Sequence, residues 1–210
     1  MLVKHMIRSG ILLGLFAIIG TGIVAYTYSE TRDDIAASQR AALLRSLHEL
    51  VPDKRYDNNL ASDTIQVTDK VMLGSAKPLT VYRARRDGKP VAAVFEAIAP
   101  DGYNGNIYLL IAINYNGTIA GVRVVSESET PGLGDAVETD RSDWIYGFTG
   151  RSLDNPTPAN WKVKRDGGVF DQFTGATITP RAVVKAVYHC LEYFKTNRDK
   201  LFIKQHKAAS

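Results

Sequence analysis

Residues 9–28 contain no charged side chain and are rich in Ile, Leu, Val, Phe and Ala. A helix of about 20 such residues crosses the hydrocarbon core of a bilayer, so this run confines the folded domain to the chain that follows it. A cleaved signal peptide is the alternative, but the run is long for a signal, and the bulky Val24, Tyr26 and Tyr28 around Ala25 make a poor cleavage site. The sequence therefore predicts one uncleaved transmembrane helix near the N-terminus.

The charged residues on the two sides of this run differ in sign. Before it stand Lys4, His5 and Arg8, and after it stand Glu30, Asp33 and Asp34, opposed by Arg32. Because the more positive flank of a span stays in the cytoplasm, we expect residues 1–8 to be a cytoplasmic tail and residues 9–28 the anchor. The chain after residue 28 is then predicted to lie in the periplasm, held at the inner membrane by a single pass.

The composition limits the kinds of chemistry that the remaining chain can perform. Charged residues make up 23% and hydrophobic residues 45%, which is typical of a globular protein. The net charge of +4 arises largely at the chain ends, and no basic stripe is interleaved with aromatic residues, so we expect no nucleic-acid binding. A single cysteine, Cys190, excludes an intramolecular disulfide and a cysteine-ligated cluster. The four histidines are scattered, so no metal site is predicted.

Between the apolar run and residue 80, the sequence predicts a helix and a linker. Residues 35–51 place apolar side chains at helical spacing, and Pro52 ends the pattern. Residues 53–63 are polar and rich in Asn and Asp, as in a loop. Residues 29–79 are therefore predicted to be a juxtamembrane helix and linker, with the helix as the first element of the domain as the alternative.

From residue 80 the hydrophobic pattern becomes that of strands. Four runs separated by turn residues are predicted as strands, at residues 81–85, 91–99, 107–114 and 118–126. A short helix at 143–148, a short strand at 161–165 and a final helix at about 180–196 follow. The predicted fold class is α+β, an antiparallel β-meander packed with helices and preceded by one N-terminal transmembrane helix. Residues 80–196 would form the domain and residues 197–210 a polar basic tail.

Residues 171–180, Asp-Gln-Phe-Thr-Gly-Ala-Thr-Ile-Thr-Pro, form the most distinctive loop of this domain. Thr179 suits the N-cap of the final helix and Pro180 its first turn. A helix N-terminus favours a phosphate, and the small Gly175 and Ala176 leave room for a ligand beside the Thr177 hydroxyl. On spacing alone, an ordinary turn and helix cap remains the alternative interpretation.

A second glycine-rich loop, residues 129–135, follows the last predicted strand. Its sequence, Glu-Thr-Pro-Gly-Leu-Gly-Asp, allows the backbone to come close to a flat ligand, although a simple turn would have the same composition.

Three motifs in order, residues 102–105, 129–134 and 174–179, together with the N-terminal anchor, resemble the FMN-binding domain family. Within it the chain is similar to the G subunits of Rnf, or Rsx, electron-transport complexes. The resemblance implies that FMN is joined through its phosphate to Thr177 by a phosphodiester bond. It also implies a separate flavin transferase, because an unaided threonine hydroxyl is a weak nucleophile and no histidine base stands near it in the sequence.

The resemblance also implies which residues surround the flavin. Residues lining the attachment loop would be Thr174, Gly175 and Ala176, and residues approaching the ring would be Glu129, Thr130, Leu133 and Gly134. Leu133 would cover an apolar face, and Asp171 would be recognised by the transferase. Relatives often carry a histidine just before the second motif, whereas this chain has Ser-Glu-Ser at 126–128, so a proton-donating role is not carried over.

The function implied by the resemblance is electron relay within a membrane complex whose other subunits couple electron flow to ion transport. The chain would act as a carrier rather than a stand-alone enzyme, with no catalytic residues of its own. Three alternatives remain open: the C-type FMN component of a sodium-translocating NADH:quinone reductase, which shares the FMN motif; a flavin-free assembly or anchoring protein; and a secreted hydrolase with a threonine nucleophile.

Overall fold

The computed structural model describes residues 2–203, which divide after Leu43 into two units. The first unit is part of a single helix, α1 (Leu2–Leu50), and its residues 3–40 are solvent-exposed. By length and composition this helix can cross a membrane. The predicted anchor at 9–28 and the predicted juxtamembrane helix at 35–51 are therefore stretches of one continuous element rather than two.

The second unit, residues 44–203, is built on a five-stranded antiparallel sheet in the order β1-β2-β3-β4-β5. Its strands are β1 (Thr64–Asp69), β2 (Ser75–Arg86), β3 (Lys89–Ala99), β4 (Ile107–Asn114) and β5 (Ile119–Ser126). The predicted α+β meander is confirmed, but the sequence pattern indicated four strands and missed β1. This edge strand is short, and only Ile65 and Val67 provide its apolar side, so its pattern was too weak to distinguish it from the linker.

One face of the sheet packs against the final helix, α2 (Ile178–Leu201). The apolar stripe of this helix meets Phe95 of β3, whose ring lies edge-on to Tyr193 and Phe194 with centroids 6.1 Å away in each case. Cys190 lies in the same stripe and is fully buried, and burial raises the pKa of its thiol. These contacts make Cys190 a core residue and fix the direction in which the helix N-terminus points.

The opposite face of the sheet carries small residues where the end of α1 packs. Val94, Ala112 and Gly121 are neighbours across β3, β4 and β5. A Cβ atom at Gly121 would lie 2.8 Å from the Leu50 Cδ2 atom, so a larger residue here would require the Leu50 side chain to shift. The last turns of α1 thus belong to the folded unit.

Two sequence-based assignments near the end of the domain differ from the structure. The strand predicted at 161–165 is wrong, because this segment makes a single bridge between Val163 and Phe170 and then a 3-10 turn. Trp161 and Phe170 pack instead against Phe148, within an aromatic cluster beside α2. The predicted tail at 197–210 begins inside α2, and residues 204–210 lie outside the described part of the chain.

Candidate functional site

A cavity of about 350 Å³ lies at the N-terminal end of α2. It is lined by Tyr103, Glu129, Thr130, Leu133, Gly134, Gly175, Ala176, Thr177, Ile178 and Thr179. Seven of the eight residues predicted to surround a ligand are in this set, and Thr174 is the one that is not. The structure therefore brings together two loops that are distant from each other in the chain.

Two similar turns form the walls of the cavity. In the first, the Leu133 amide bonds to the Thr130 carbonyl at 3.0 Å, with Gly132 at a φ of +78°. In the second, the Ala176 amide bonds to the Phe173 carbonyl at 3.2 Å, with Gly175 at a φ of +80°. A glycine with positive φ at the third position is the requirement of a type II turn. The local turn geometry thus explains why glycine stands at positions 132 and 175.

The start of α2 is not capped as the sequence suggested. The helix begins at Ile178, and the residue before it is Thr177, which makes no side-chain capping hydrogen bond. Thr179 is fully buried, and its hydroxyl donates to the Glu129 carboxylate instead of bonding to the helix backbone. The prediction of Thr179 as N-cap is therefore wrong, because a contact with another loop takes up its hydroxyl. Pro180 still lies in the first turn, where its missing N–H is harmless.

Thr177 is half-buried and lines the cavity. Among the hydrogen bonds of residues 2–203, none uses its hydroxyl. The first-turn N–H groups of an α-helix have no partner within the helix, and the helix dipole makes this end positive. The cavity therefore has a polar end suited to an anion, with a free hydroxyl beside it.

Apolar side chains line the other parts of the cavity. Tyr103, Leu133 and Ile178 are 66%, 42% and 44% exposed, and together they leave an open apolar surface beside the helix end. Tyr103 and Ile178 were not predicted as site residues, although Tyr103 lies in the motif at 102–105. Their positions depend on how the loops meet, which the spacing of residues along the chain does not reveal.

The loop at residues 171–177 is also held from outside the cavity. The indole N–H of Trp144 donates to the Asp171 carbonyl at 2.8 Å, and the Trp144 ring lies edge-on to Phe173 at 5.1 Å. The Asp171 carboxylate pairs with Lys164 at 2.5 Å on the surface. Thr174 is exposed at the tip of this loop. These contacts restrict the segment that presents Thr177.

The residues of the cavity fit FMN, the cofactor that the motifs imply. The cavity volume falls within the range of small-molecule sites, and it joins an anion-suited helix end to an apolar wall. Gly175 has a φ of +80°, a backbone conformation that favours glycine, and a Cβ atom there would be in ordinary contact with Leu133 at 3.5 Å. Within residues 2–203 no group of three His, Cys, Asp or Glu side chains is placed to hold a metal.

Two protein families match this chain, one in the domain that contains the cavity and one in the N-terminal helix. The FMN-binding domain family matches residues 102–192, the segment that supplies every residue of the cavity. The RnfG N-terminal region matches residues 1–50, which include all of α1.

Similar proteins cover nearly the whole chain. The G subunit of the ion-translocating oxidoreductase complex of Pseudoalteromonas atlantica is 47% identical over 203 residues, covering 97% of this chain and 94% of its own. Its counterpart in Pseudomonas aeruginosa is 46% identical, with coverage of 98% and 96%, and that of Vibrio cholerae is 47% identical, with coverage of 92% and 92%.

Among solved structures, the chain aligns with the C subunit of the Na⁺-translocating NADH-quinone reductase from Parabacteroides distasonis. The TM-score of this crystal structure is 0.43, at 23% identity. The alignment covers 66% of this chain and 70% of that one. The identities of 46–47% to the G subunits extend over both α1 and the sheet domain. The chain therefore belongs to the family of ion-translocating oxidoreductase complex G subunits, and the domain that contains the cavity is an FMN-binding domain.

Proposed function

We propose that this chain is a membrane-anchored electron carrier that holds FMN covalently, through a phosphodiester bond to Thr177. The observation that carries the proposal is the different state of the three threonines in the motif. Thr174 does not line the cavity, and Thr179 is buried with its hydroxyl bonded to Glu129. Thr177 alone combines a place in the cavity wall with a hydroxyl that makes no hydrogen bond within residues 2–203.

Forming this bond requires an activated flavin donor and a separate transferase. The Thr177 oxygen attacks the FMN phosphorus of a phosphoanhydride, the hydroxyl proton leaves, and a nucleoside monophosphate is released. Glu129 is the carboxylate among the residues that line the cavity, and its oxygens already accept hydrogen bonds from Tyr103, Asn104 and Thr179. The transferase supplies the base, and the exposed tip of the attachment loop around Thr174 provides access to it.

Once attached, the flavin supplies reversible electron transfer, and the protein supplies its orientation. The first turn of α2 would hold the phosphate, and the turn at 130–133 would lie against the ring with Leu133 on an apolar face. Ala176 and the backbone of the two turns would lie close to the ring edge. The exposed Tyr103 would cover part of the ring that is not enclosed, leaving an edge near the surface, as transfer between proteins requires.

We predict that the isolated chain behaves as a carrier and is not an NADH-oxidising enzyme. The flavin-loaded full chain should bleach with dithionite and regain its colour in air. With excess NADH it should stay oxidised on the timescale of turnover, because the sequence has no dinucleotide fingerprint. Stopped-flow absorbance of the flavin band measures both reactions. Rapid bleaching of the flavin band by NADH in the purified chain would make it a free-standing reductase and defeat the carrier proposal.

We further propose that α1 anchors the chain by its stretch at 9–28, with residues 1–8 in the cytoplasm and the chain from residue 29 in the periplasm. In this proposal the part of α1 after residue 28 connects the anchor to the folded unit, which includes the last turns of α1, the five strands and α2 as far as Leu201. The names of the relatives indicate a complex of several subunits, so other membrane subunits would be its partners, together with the flavin transferase during maturation.

A reporter enzyme that folds only outside the cytoplasm tests this orientation. Fused after Ser210 of the full chain, it should be active, because the basic residues precede the span and acidic residues follow it. The same reporter fused directly after Arg8, without the span, is the control and should be inactive. A stable but inactive fusion after Ser210 would place the domain in the cytoplasm.

A further inference from the structure

We propose that the Glu129 carboxylate is the positioning group that joins all three loops of the flavin cavity. Its effect on the flavin rests on the proposed function, whereas the first test of its positioning role does not. Glu129 is 5% exposed and follows β5. Its Oε1 accepts the amide of Asn104 at 3.0 Å and its Oε2 accepts the amide of Tyr103 at 3.2 Å. Oε2 also accepts the hydroxyl of Thr179 in α2.

These donors come from segments that are distant in sequence. Tyr103 and Asn104 belong to the motif at 102–105, Glu129 to the motif at 129–134, and Thr179 to the motif at 174–179. The three motifs that resemble the flavin family are thus tied to one carboxylate. Hydrogen bonds from three donors to a buried charge are strong, because the donors replace the water that the carboxylate has lost.

The glycines of two motifs make room for this carboxylate. A Cβ atom at Gly134 would stand 2.7 Å from the Glu129 Cβ and 2.9 Å from the Thr179 hydroxyl oxygen. A Cβ atom at Gly102 would stand 2.3 Å from the Gly105 carbonyl oxygen and 3.0 Å from Glu129 Oε1. A larger residue at either glycine would collide with the groups around the Glu129 carboxylate, whether or not flavin is bound. The fold of the protein itself therefore accommodates this contact.

The arrangement gives Glu129 two effects on the site. It fixes the start of α2, and with it Thr177, against the turn that carries Leu133. It also places a buried carboxylate in the cavity wall, where it accepts hydrogen bonds from the Tyr103 and Asn104 amides and the Thr179 hydroxyl. Adding electrons to a ring beside an ionised carboxylate is disfavoured, so Glu129 should lower the reduction potential of the flavin.

The first test uses the full chain in detergent without flavin, so that it is independent of covalent attachment. Amide hydrogen exchange at Tyr103 and Asn104 is measured in the unmodified chain, Glu129→Gln and Thr179→Val. An amide side chain at 129 accepts through one oxygen and presents a donor at the other position, so exchange at Tyr103 and Asn104 should be faster by about tenfold. Thr179→Val loosens the same contact from the α2 side and should cause a smaller increase.

Two controls separate positioning from general destabilisation. Thr179→Ser keeps the hydroxyl and should restore slow exchange, and Thr174→Val removes a hydroxyl from the same loop outside the cavity and should change nothing. If exchange at Tyr103 and Asn104 is the same in Glu129→Gln, Thr179→Val and the unmodified chain, the proposal is wrong.

The second test uses the chain loaded with flavin by a co-expressed transferase. The midpoint potential, measured per attached flavin, should shift upward in Glu129→Gln and stay unchanged in Thr174→Val, whose side chain does not line the cavity. An unchanged potential in Glu129→Gln contradicts the placement of this charge at the flavin. If the unmodified chain takes up no flavin at all, the attachment proposal fails, while the exchange measurement still decides the role of Glu129.

Discussion

Thr177→Val is expected to abolish covalent flavin completely. Valine keeps the shape of threonine but has no hydroxyl, so the cavity and the start of α2 are retained while the oxygen of the phosphodiester is lost. The full chain is co-expressed with a flavin transferase, separated on a denaturing gel and viewed under ultraviolet light. The unmodified chain should produce a fluorescent band and Thr177→Val none.

The matched control is Thr174→Val, which removes a hydroxyl three residues earlier in the same loop. Thr174 is exposed and does not line the cavity, so this variant should still carry flavin. Equal near-ultraviolet circular dichroism of both variants, each expressed without the transferase and therefore without flavin, would show that the domain has folded. A fluorescent band from Thr177→Val, or a band lost only in Thr174→Val, would move the attachment point away from Thr177.

The two turns of the cavity could be predicted well because each has a local cause. Proline followed by glycine at 131–132, and threonine followed by glycine at 174–175, favour type II turns whatever lies around them. Small residues beside a helix start then indicate a ligand. Those signals are contained in a few consecutive residues, so no knowledge of the tertiary structure was needed.

The contacts between loops could not be predicted in the same way. Thr179 is a residue type that often caps helices and stands where an N-cap was expected. Its hydroxyl does not cap the helix because it bonds to Glu129, which lies far away in the sequence. Tyr103 contributes to the cavity because Glu129 holds its amide, a pairing across 26 positions that no periodicity shows. The edge strand β1 was missed for a related reason, because its antiparallel pairing with β2, rather than the pattern of its own residues, makes it a strand.

The pairing of β1 and β2 also brings two arginines to the far end of α2. Arg83 and Arg85 of β2 are each 7% exposed. Asp63, just before β1, meets Arg83 at 2.5 Å and Arg85 at 2.9 Å through different oxygens. Arginines in a strand pattern resemble outward-facing polar positions, so a buried ionic group could not be recognised from the residues alone.

Besides pairing with Asp63, these arginines hold the C-terminal end of α2. The Arg83 guanidinium donates to the carbonyls of Leu201 and Ile203 at 3.1 and 3.2 Å, and Arg85 donates to that of Phe202 at 3.0 Å. The last carbonyls of a helix have no partner within it, so the arginines satisfy them. Asp63 balances the charge of the pair and thereby supports the helix whose other end forms the flavin cavity.

Asp63→Asn is therefore expected to lower the free energy of unfolding by about 3–5 kcal/mol, because it leaves two buried arginines without their counter-charge and turns an amide donor toward one of them. Asp101→Asn is the matched control. Asp101 pairs with Lys185 at 2.6 Å, but both side chains are more than half exposed, so its loss should cost about 1 kcal/mol or less. Denaturant unfolding of the full chain in detergent, followed by near-ultraviolet circular dichroism, compares the two. Equal losses in both variants would mean that the buried arginines are compensated by the helix carbonyls alone.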